Sequence, residues 1–439
     1  MKIVLINLPS PFETEPAMNP PLGLGYISSY LKIKGYSDVT IVDYALYKDY
    51  DYINERRYFE KIPLDGDIYG FSCVTPQYKW LYELTKYIRF ICPSAILIAG
   101  GPHPSNMPKE CLNECGLDYV VQGEGEIVFF RIVEHHSQNH YFNYPNILEE
   151  PVINLGCLPL PDRPNMELYK RNIDGQKAAH IITLRGCPYN CYFCDRESVG
   201  RNVRYRSIEN VISEVDELRQ VHGINSFVIY DDIFTLSEYR VYHFCNALAV
   251  RGSSWRCWSR TDRITEKLLT YMKKCGLKSI TFGVESGDDD ILKNINKVTT
   301  AEQNKKALLA AKKAGVPVRC SLMYGNPGET LSSLNNTLKF VEETQPDEWN
   351  LAVLTPIPGS EFWSNPQKYG LSFDKAWLKK KWYLPCNRFG ETGVGDPWIT
   401  IDSMSKQEFT KNLVYFVNEL ERICPRKKIQ DTIQEIKLV

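Results

Sequence analysis

Three cysteines crowd into the stretch RGCPYNCYFCD (residues 185–195): Cys187, Cys191 and Cys194, in the spacing C-x3-C-x2-C. Thiolates this close together suit a metal. A structural zinc site wants four ligands, usually in paired C-x2-C knuckles, and no second pair or histidine lies nearby in the sequence. Iron–sulfur clusters are also held by closely spaced thiolates. Three thiolates on a four-iron cluster leave one iron open, and an open iron can bind a substrate or cofactor. A disulfide framework would need an oxidising compartment.

The remaining composition sets the context for that site. A chain of 439 residues is expected to form more than one domain. Apolar residues make up 43%, charged residues 24%, and the net charge is −1. That balance fits an ordinary globular protein and gives no specific nucleic-acid signal. Aromatics reach 12% with 27 Tyr, which serves a core or ligand stacking. The opening MKIVLINLPSPF meets Pro9 and Pro11 after a short apolar run, too short for a signal peptide, and no stretch is long enough for a membrane span. The expectation is a cytoplasmic protein with reduced thiols. Of the 14 cysteines, Cys73, Cys92, Cys245, Cys275 and Cys320 lie among apolar residues and are expected in the core.

Two series of alternating elements position the candidate chemistry. In residues 1–150, strands are expected at 2–8, 38–44, 68–74, 95–101 and 118–126, with helices at 24–35, 78–92 and 127–136. Such alternation predicts a doubly wound, Rossmann-like parallel sheet that binds ligands at its carboxyl strand ends. Those ends read PSPF, SCVTP, GGPHPS and GEGE. Small residues there let a backbone approach a ligand. Pro159, Pro161 and Pro164 interrupt the rhythm and predict a linker over 151–175. The second series, 176–370, has strands at 180–184, 226–230, 254–259, 279–284, 317–324 and 349–355. Helices fall at 207–222, 237–251, 265–275, 300–314 and 329–345. Six β/α units predict a partial (β/α)6 barrel with its chemistry at the C-terminal strand ends. Residues 371–439 form a small, mostly helical segment with a helix at 405–423. The α/β class covers both series.

The cysteine triplet follows the first strand of the second series, and Phe193 precedes its third cysteine. That arrangement resembles the radical S-adenosylmethionine (SAM) superfamily, in which the open iron chelates the amino and carboxylate groups of SAM. YDDIFT (230–235), WSRTD (258–262), GVESGDDDIL (283–292), YGNPGET (324–330) and TPIPGS (355–360) resemble its later strand-end segments. The resemblance covers about residues 176–360. It implies that Cys187, Cys191 and Cys194 hold a [4Fe-4S] cluster and that Phe193 lies near adenine. It places Ser259, Arg260 and Glu285 at SAM, and turns Asp231 and Asp232 toward the active site. Two bland alternatives stand beside it: Arg260 and Glu285 as a structural ion pair, and Asp232 as a helix cap.

PPLGLGYISSYLK (20–32), GGPHPS (100–105) and VVQGEGE (120–126) make residues 1–150 similar to the cobalamin-binding branch of that superfamily. This implies cobalamin contacts at Pro9, Leu24, Ser72, Val74, Gly100, Gly101, His103, Gly123 and Gly125. The D-x-H-x-x-G motif that gives some cobalamin proteins a lower axial histidine is absent, since no histidine has Asp two positions before it. His103 could instead serve a turn or helix entry. GEGE is not a phosphate loop, because G-K-[ST] is missing and its acids repel phosphate.

The implied activity is a cobalamin-dependent radical SAM C-methylation. A 5′-deoxyadenosyl radical takes hydrogen from an unactivated carbon, and the substrate radical takes a methyl group from methylcobalamin. An external electron donor such as flavodoxin or ferredoxin would supply electrons. Cyclisation or rearrangement without methyl transfer is the main alternative. Methylthiotransferases carry a second three-cysteine set in the first domain, where only Cys73, Cys92, Cys111 and Cys115 are available. A non-catalytic sensor has no need of the SAM-type strand ends. Trp377, Trp382, Tyr383, Cys386 and Trp398 are expected to shape the substrate site, equally suited to a small molecule, lipid or peptide.

Overall fold

The computed structural model describes residues 1–10, 15–47, 57–138, 145–195, 198, 200–375 and 399–425. Trp377, Trp382, Tyr383, Cys386 and Trp398 lie outside the described residues. The chain divides into two compact units. Met1–Lys170 with Asp195–Gly200 belong to the first, and Arg171–Cys194 with the described residues 201–375 and 399–425 belong to the second.

The first unit is built on six parallel strands: β1 (Ile3–Asn7), β2 (Val39–Asp43), β3 (Ile68–Ser72), β4 (Ile96–Gly100), β5 (Tyr119–Gln122) and β6 (Ile147–Glu149). Their order is β2-β1-β3-β4-β5-β6. Ile3, Val4, Leu5 and Ile6 are all fully buried, as in a parallel strand covered on both faces. Helices Leu22–Ile33 and Glu126–Ser137 share one face through Leu24, Leu31, Phe129 and Ile132. The order reverses between β1 and β3, and ligands on such sheets bind outside that switch point. Strand β6 and helices Pro102–Asn106 and Pro108–Cys115 were not expected. Both helices start on a proline, which breaks a periodic pattern but suits a first helical turn. The proline-rich segment expected as a linker is strapped to helix Leu22–Ile33. Asp162 N donates to Gly25 O (3.0 Å), and Ser28 Oγ donates to Asp162 Oδ2 (2.9 Å).

The second unit holds six parallel strands: β8 (Gln176–Ile181), β11 (Ser226–Ile229), β12 (Ser254–Ser259), β13 (Leu277–Glu285), β14 (Val318–Tyr324) and β15 (Glu348–Val353). A short antiparallel strand, β7 (Asn172–Ile173), pairs with β8, so the sheet runs β15-β14-β13-β12-β11-β8-β7 and is open at both edges. Five crossover helices start on a hydroxyl cap. Ser207, Ser237, Thr265, Thr300 and Thr330 accept from the backbone N–H of Asn210, Arg240, Leu268, Gln303 and Ser333. Each cap satisfies a donor the helix leaves open and fixes where the preceding loop ends. This explains why helix starts were legible to within two residues.

From β13 to β15 the strands bury one face and leave the other partly open, whereas β11 is buried on both. On β13, Leu277, Ile280, Phe282 and Val284 are buried under helices, whereas Ser279, Thr281 and Gly283 are partly exposed on the inner side and Glu285 only slightly so. Beyond β15, strands β16 (Leu371–Ser372) and β17 (Thr400–Ile401) pair antiparallel. Helix Lys406–Ile423 then packs on β14 through Tyr324, whose OH donates to Phe409 O at 2.6 Å.

Candidate functional site

The first barrel strand ends earlier than expected. β8 stops at Ile181, and Leu184–Arg185 form a separate strand, β9, antiparallel to β10 (Arg204–Tyr205). Asp231 causes the break. Its carboxylate accepts from Thr183 N (2.6 Å), Thr183 Oγ1 (2.5 Å) and Leu184 N (3.2 Å). Arg240 Nη2 holds the same turn from the other side by donating to Thr183 O (2.9 Å) and Arg206 O (2.8 Å). Asp231 is 3% exposed, and burial lifts its carboxyl to about 6. Its oxygens are occupied, so it braces the strand end that opens into the cysteine loop instead of facing reactants, contrary to the sequence expectation.

Asp232 does face outward. Its side chain is exposed, and partial desolvation by the surrounding protein raises its carboxyl above the usual range. No helix uses it as a cap; the cap of helix Glu238–Ala249 is Ser237. Its charge reaches Cys187.

The loop carrying Cys187, Cys191 and Cys194 is anchored to three later strand ends. Tyr192 N donates to Ile295 O (3.0 Å), Asn296 Nδ2 donates to Asn190 O (2.7 Å), and Phe362 N donates to Tyr192 O (3.1 Å). Tyr189 lies under the Arg260 guanidinium, 3.6 Å from its ring centroid, and receives a bond from Arg263 Nε at 2.6 Å. Cys187 and Cys191 are half-buried and Cys194 is exposed. Burial raises the Cys191 thiol, while Lys297 and Arg260 beside it pull the other way, toward the thiolate that iron needs. Burial likewise raises Cys187, with Asp232 and Cys191 adding to the rise and Arg260 opposing it. Among the described residues no three His, Cys, Asp or Glu side chains converge as around a single ion. Thiolates on separate irons stand farther apart than ligands of one ion. Three cysteines on one anchored loop with cations beside them therefore suit a cluster.

Arg260 and Glu285 do not pair with each other. Arg260, 4% exposed, forks onto Asp262 through Nε (2.9 Å) and Nη2 (3.2 Å), and its Nη2 also donates to Lys297 O (2.7 Å). Glu285 pairs with Lys297 at 2.8 Å, with side chains only 14% and 8% exposed. Glu285 has φ +66° beside a bulge in β13, and Asn296 and Val298 flank Lys297 with φ +54° and +60°. Left-handed backbone at such residues costs about 1–3 kcal/mol each and concentrates at functional sites. A Cβ on Gly283 would lie 2.7 Å from Glu285 Oε1 and 2.9 Å from Lys297 Nζ, so a side chain there would push the ends of the pair aside. Phe193 is half-exposed with Lys297 Nζ 5.9 Å from its ring centroid. Ser259 is buried, its hydroxyl shared with Thr235 and Arg260 O. Lys297 escaped sequence reading because NINKVTT carries no spacing signal.

In the first unit, Pro9, Ser72, Val74, Gly100, Gly101, His103, Gly123 and Gly125 gather at the carboxyl ends of β1, β3, β4 and β5. Gly101 has φ +95°, and Cys73 O would lie 3.0 Å from a Cβ there. Gly123, with φ +70°, has nothing within 4 Å of its Cβ position. Gln77 ties the switch point together. Its Nε2 donates to Leu8 O and Ser10 Oγ, both at 2.8 Å, and its Oε1 accepts from Val74 N at 3.0 Å. Ser105 bridges the next two strand ends by accepting from Gly123 N (2.9 Å). Neither Gln77 nor Ser105 was singled out, because their roles come from strand order. These ends, PS, CVTPQ, GPHPSN and GEG, carry no Lys or Arg. A ledge of backbone, Gly and half-exposed Val74 fits a broad flat cofactor such as a corrin better than a phosphate.

Two residues depart from the cobalamin expectation. Leu24 is 3% exposed within the sheet core. His103 is fully buried, with its ring 4.6 Å from that of Tyr78 and Nδ1 3.3 Å from Thr75 Oγ1, so it serves the turn. Cys73, Cys111 and Cys115 are buried together; burial raises Cys73 well above and Cys115 to about 12, which suits neutral core thiols and not a second cluster. Cys245, Cys275 and Cys320 are buried as expected, whereas Cys92 is half-buried at a helix end. No helix of the described residues is long and apolar enough to cross a membrane.

Comparison with known proteins agrees with both halves. Residues 181–341 match the Radical SAM superfamily and residues 16–133 match the B12 binding domain. An uncharacterized methyltransferase of Pyrococcus horikoshii is 30% identical over 399 residues, covering 86% of each chain. The anaerobic magnesium-protoporphyrin IX monomethyl ester cyclase of Rubrivivax gelatinosus is 30% identical over 367 residues, covering 78% of this chain and 65% of that one. Among solved structures, the radical SAM methyltransferase TsrM of Kitasatospora setae, with tryptophan and a SAM analogue bound, has a TM-score of 0.72 at 16% identity. That alignment covers 95% of this chain and 89% of TsrM. The fold is shared at that identity, and the sequence match with the Pyrococcus protein, with both domain matches, shows that the chain belongs to the B12-binding radical SAM family.

Proposed function

We propose that this protein is a cobalamin-dependent radical SAM C-methyltransferase. The observation that carries the reading is the anchored three-cysteine loop at the barrel's C-terminal strand ends, in a chain that also has a cation-free glycine ledge at the switch point of a B12-type domain. With [4Fe-4S] cluster, SAM and methylcobalamin bound, the cofactors would supply hydrogen abstraction and a transferable methyl group. The chain's own residues hold and orient. Cys187, Cys191 and Cys194 would hold the cluster, and Asp231 fixes the strand end from which their loop springs. Arg260 and Lys297 place positive charge beside Cys191, and Glu285, steered by Lys297, is available to a ribose or ammonium group. Phe193 offers a ring to adenine. Asp232 is the carboxylate at the mouth able to meet a reactant. Pro9, Ser72, Val74, Gly100, Gly101, Gly123 and Gly125 would bed the corrin. Electrons would come from an external flavodoxin- or ferredoxin-like donor. The domain limits 1–150, 151–175, 176–370 and 371–439 belong to this same reading.

The methyl-transfer step separates this reading from its rival. Anaerobically reconstituted protein given SAM, reductant and cobalamin should make S-adenosylhomocysteine with methylcobalamin, as well as 5′-deoxyadenosine. The similarity to a cyclase favours the second reading, radical chemistry without methyl transfer. Deoxyadenosine with no S-adenosylhomocysteine would establish that alternative and overturn methylation.

A further inference from the structure

Lys297 orients the charge of Glu285, but the backbone beneath that carboxylate has its own supports. Ser286 N donates to Val284 O at 2.9 Å across Glu285, whose φ is +66°. Glu285 therefore stands at the apex of a γ-turn of the rare, strained hand. The ladder to β14 shifts register between Gly283 and Glu285, so strand pairing alone does not dictate this conformation. A strained turn persists only where its surroundings over-determine it.

Those surroundings are two helices that each place a polar residue in an apolar stripe. Helix Ala301–Lys313 buries Asn304 with Ala307, Leu308 and Ala311, and helix Leu331–Thr344 buries Thr337 with Leu334, Leu338 and Val341. Such spacing marks the core face of a helix, where a polar group needs a partner. Both find theirs beside Glu285. Asn304, fully buried, donates from Nδ2 to Val284 O at a long 3.4 Å and accepts at Oδ1 from Thr261 Oγ1 at 2.5 Å. One amide thus spans the ends of β12 and β13, next in sequence to Arg260 and Glu285. On the other side, Thr337 Oγ1 donates to Ser333 O of its own helix (3.2 Å), and its oxygen accepts from Gly287 N at 3.0 Å, with Ser286 Oγ 3.1 Å away. Gly287 permits that approach, since a Cβ there would lie 2.6 Å from Phe340 Cβ and 2.9 Å from Thr337 Cα. Thr344, farther along the same helix, shows the ordinary arrangement. It is fully buried, and its hydroxyl is spent on Phe340 O of its own helix at 2.8 Å.

We propose that Asn304 and Thr337 are positioning residues for SAM: they clamp the γ-turn from its two sides and so aim the Glu285 carboxylate. They act through Glu285, and the proposal rests on the reading of that residue as a SAM contact. The clamp sets affinity for SAM and has no part in holding the cluster, whose three thiols lie on a different loop.

The test uses anaerobically reconstituted holoprotein, with SAM affinity read by equilibrium dialysis and iron per chain measured on the same samples. Thr337→Val keeps the shape and removes the acceptor. It should weaken SAM about tenfold, the size of one hydrogen bond, and speed amide exchange over residues 284–288 while iron loading is unchanged. Thr337→Ser returns the hydroxyl and should restore affinity. Asn304→Leu should weaken SAM as Thr337→Val does. Thr344→Val, which removes a buried hydroxyl from the same helix, should bind SAM as wild type does. Glu285→Gln should itself weaken SAM, and adding Thr337→Val to it should produce no further loss, since the clamp works through that carboxylate. Wild-type affinity in both Thr337→Val and Asn304→Leu, an equal loss in Thr344→Val, or a full further loss in the Glu285→Gln background would overturn the clamp and leave Glu285 as a SAM contact. Wild-type affinity in Glu285→Gln, or no SAM bound by wild type, would overturn that reading and the clamp with it. Methyl transfer enters none of these readouts, so its failure would show separately.

Discussion

Asp231→Ala should unlock the cysteine loop. The carboxylate serves two backbone donors and one hydroxyl, all buried. Removing it strands Thr183 N and Leu184 N, and a buried unsatisfied donor costs about 1–3 kcal/mol. Thr183 Oγ1 can rotate to another acceptor, so about 3 kcal/mol is a fair total. If opening of that turn is local, amide exchange over residues 180–186 should speed up by about 100-fold, since 1.36 kcal/mol is a factor of ten. Iron bound after reconstitution should fall with it. Asp231→Asn keeps one acceptor oxygen and should lose much less. The two proteins also differ in pH response. Burial raises the folded carboxyl from 3.8 to about 6. Wild-type stability from this group is full below about pH 4 and is lost as pH rises through 6, by about 3 kcal/mol. The Asn variant has no such loss, so wild-type protection should gain on it as pH falls from 7 to 4.5. Peptide-resolved hydrogen exchange by mass spectrometry reads both effects. Wild-type protection of residues 180–186 in Asp231→Ala would refute the bracing role, and a wild-type-to-Asn ratio flat in pH would refute the burial-raised carboxyl.

Three further outcomes follow from the same geometry. Lys297→Met leaves Glu285 nearly buried without its cation and should cost about 3 kcal/mol in urea unfolding; Glu285→Gln in the same chain should recover part of it, since the penalty is a stranded charge. Gly101→Ala must place a Cβ 3.0 Å from Cys73 O at φ +95°, so bound cobalamin, measured by absorbance per chain, should drop while iron loading persists. Glu329 accepts from Gly325 N (2.6 Å) and Asn326 Nδ2 (3.1 Å), and burial raises it from 4.5 to about 7. Its contribution is full below pH 4.5 and falls by about 3 kcal/mol as pH rises through 7. The thermal midpoint of wild type should therefore drop between pH 5 and 8 relative to that of Glu329→Gln.

Much of this was legible in the sequence because it depends on local signals. Alternating apolar strands place the barrel units, Ser or Thr marks their helix starts to within two residues, and thiol spacing marks the cluster loop. What depended on three-dimensional crossing was not legible. Asp231 and Asp232 are neighbours of one type, yet one carboxylate turns in to brace a turn and the other turns out to the mouth. Leu24 and His103 sit inside motif segments but face the core. Lys297 has its role only because left-handed residues on both sides deliver its side chain to Glu285. The polar alternation on β13 to β15, Ser279-Thr281-Gly283, Arg319-Ser321 and Glu348-Asn350, was a usable signal of an open inner face. A parallel strand buried on both sides would read as continuous apolar sequence.

The central claim is that one loop of three thiols generates the radical while the other unit holds cobalamin independently. The most direct measurement is 5′-deoxyadenosine formed from SAM by reduced, reconstituted wild type and Cys191→Ala, with cobalamin quantified on the same samples. The account predicts that wild type forms deoxyadenosine, and that Cys191→Ala forms none while keeping full cobalamin. Deoxyadenosine from Cys191→Ala, or its absence from fully loaded wild type, would contradict it.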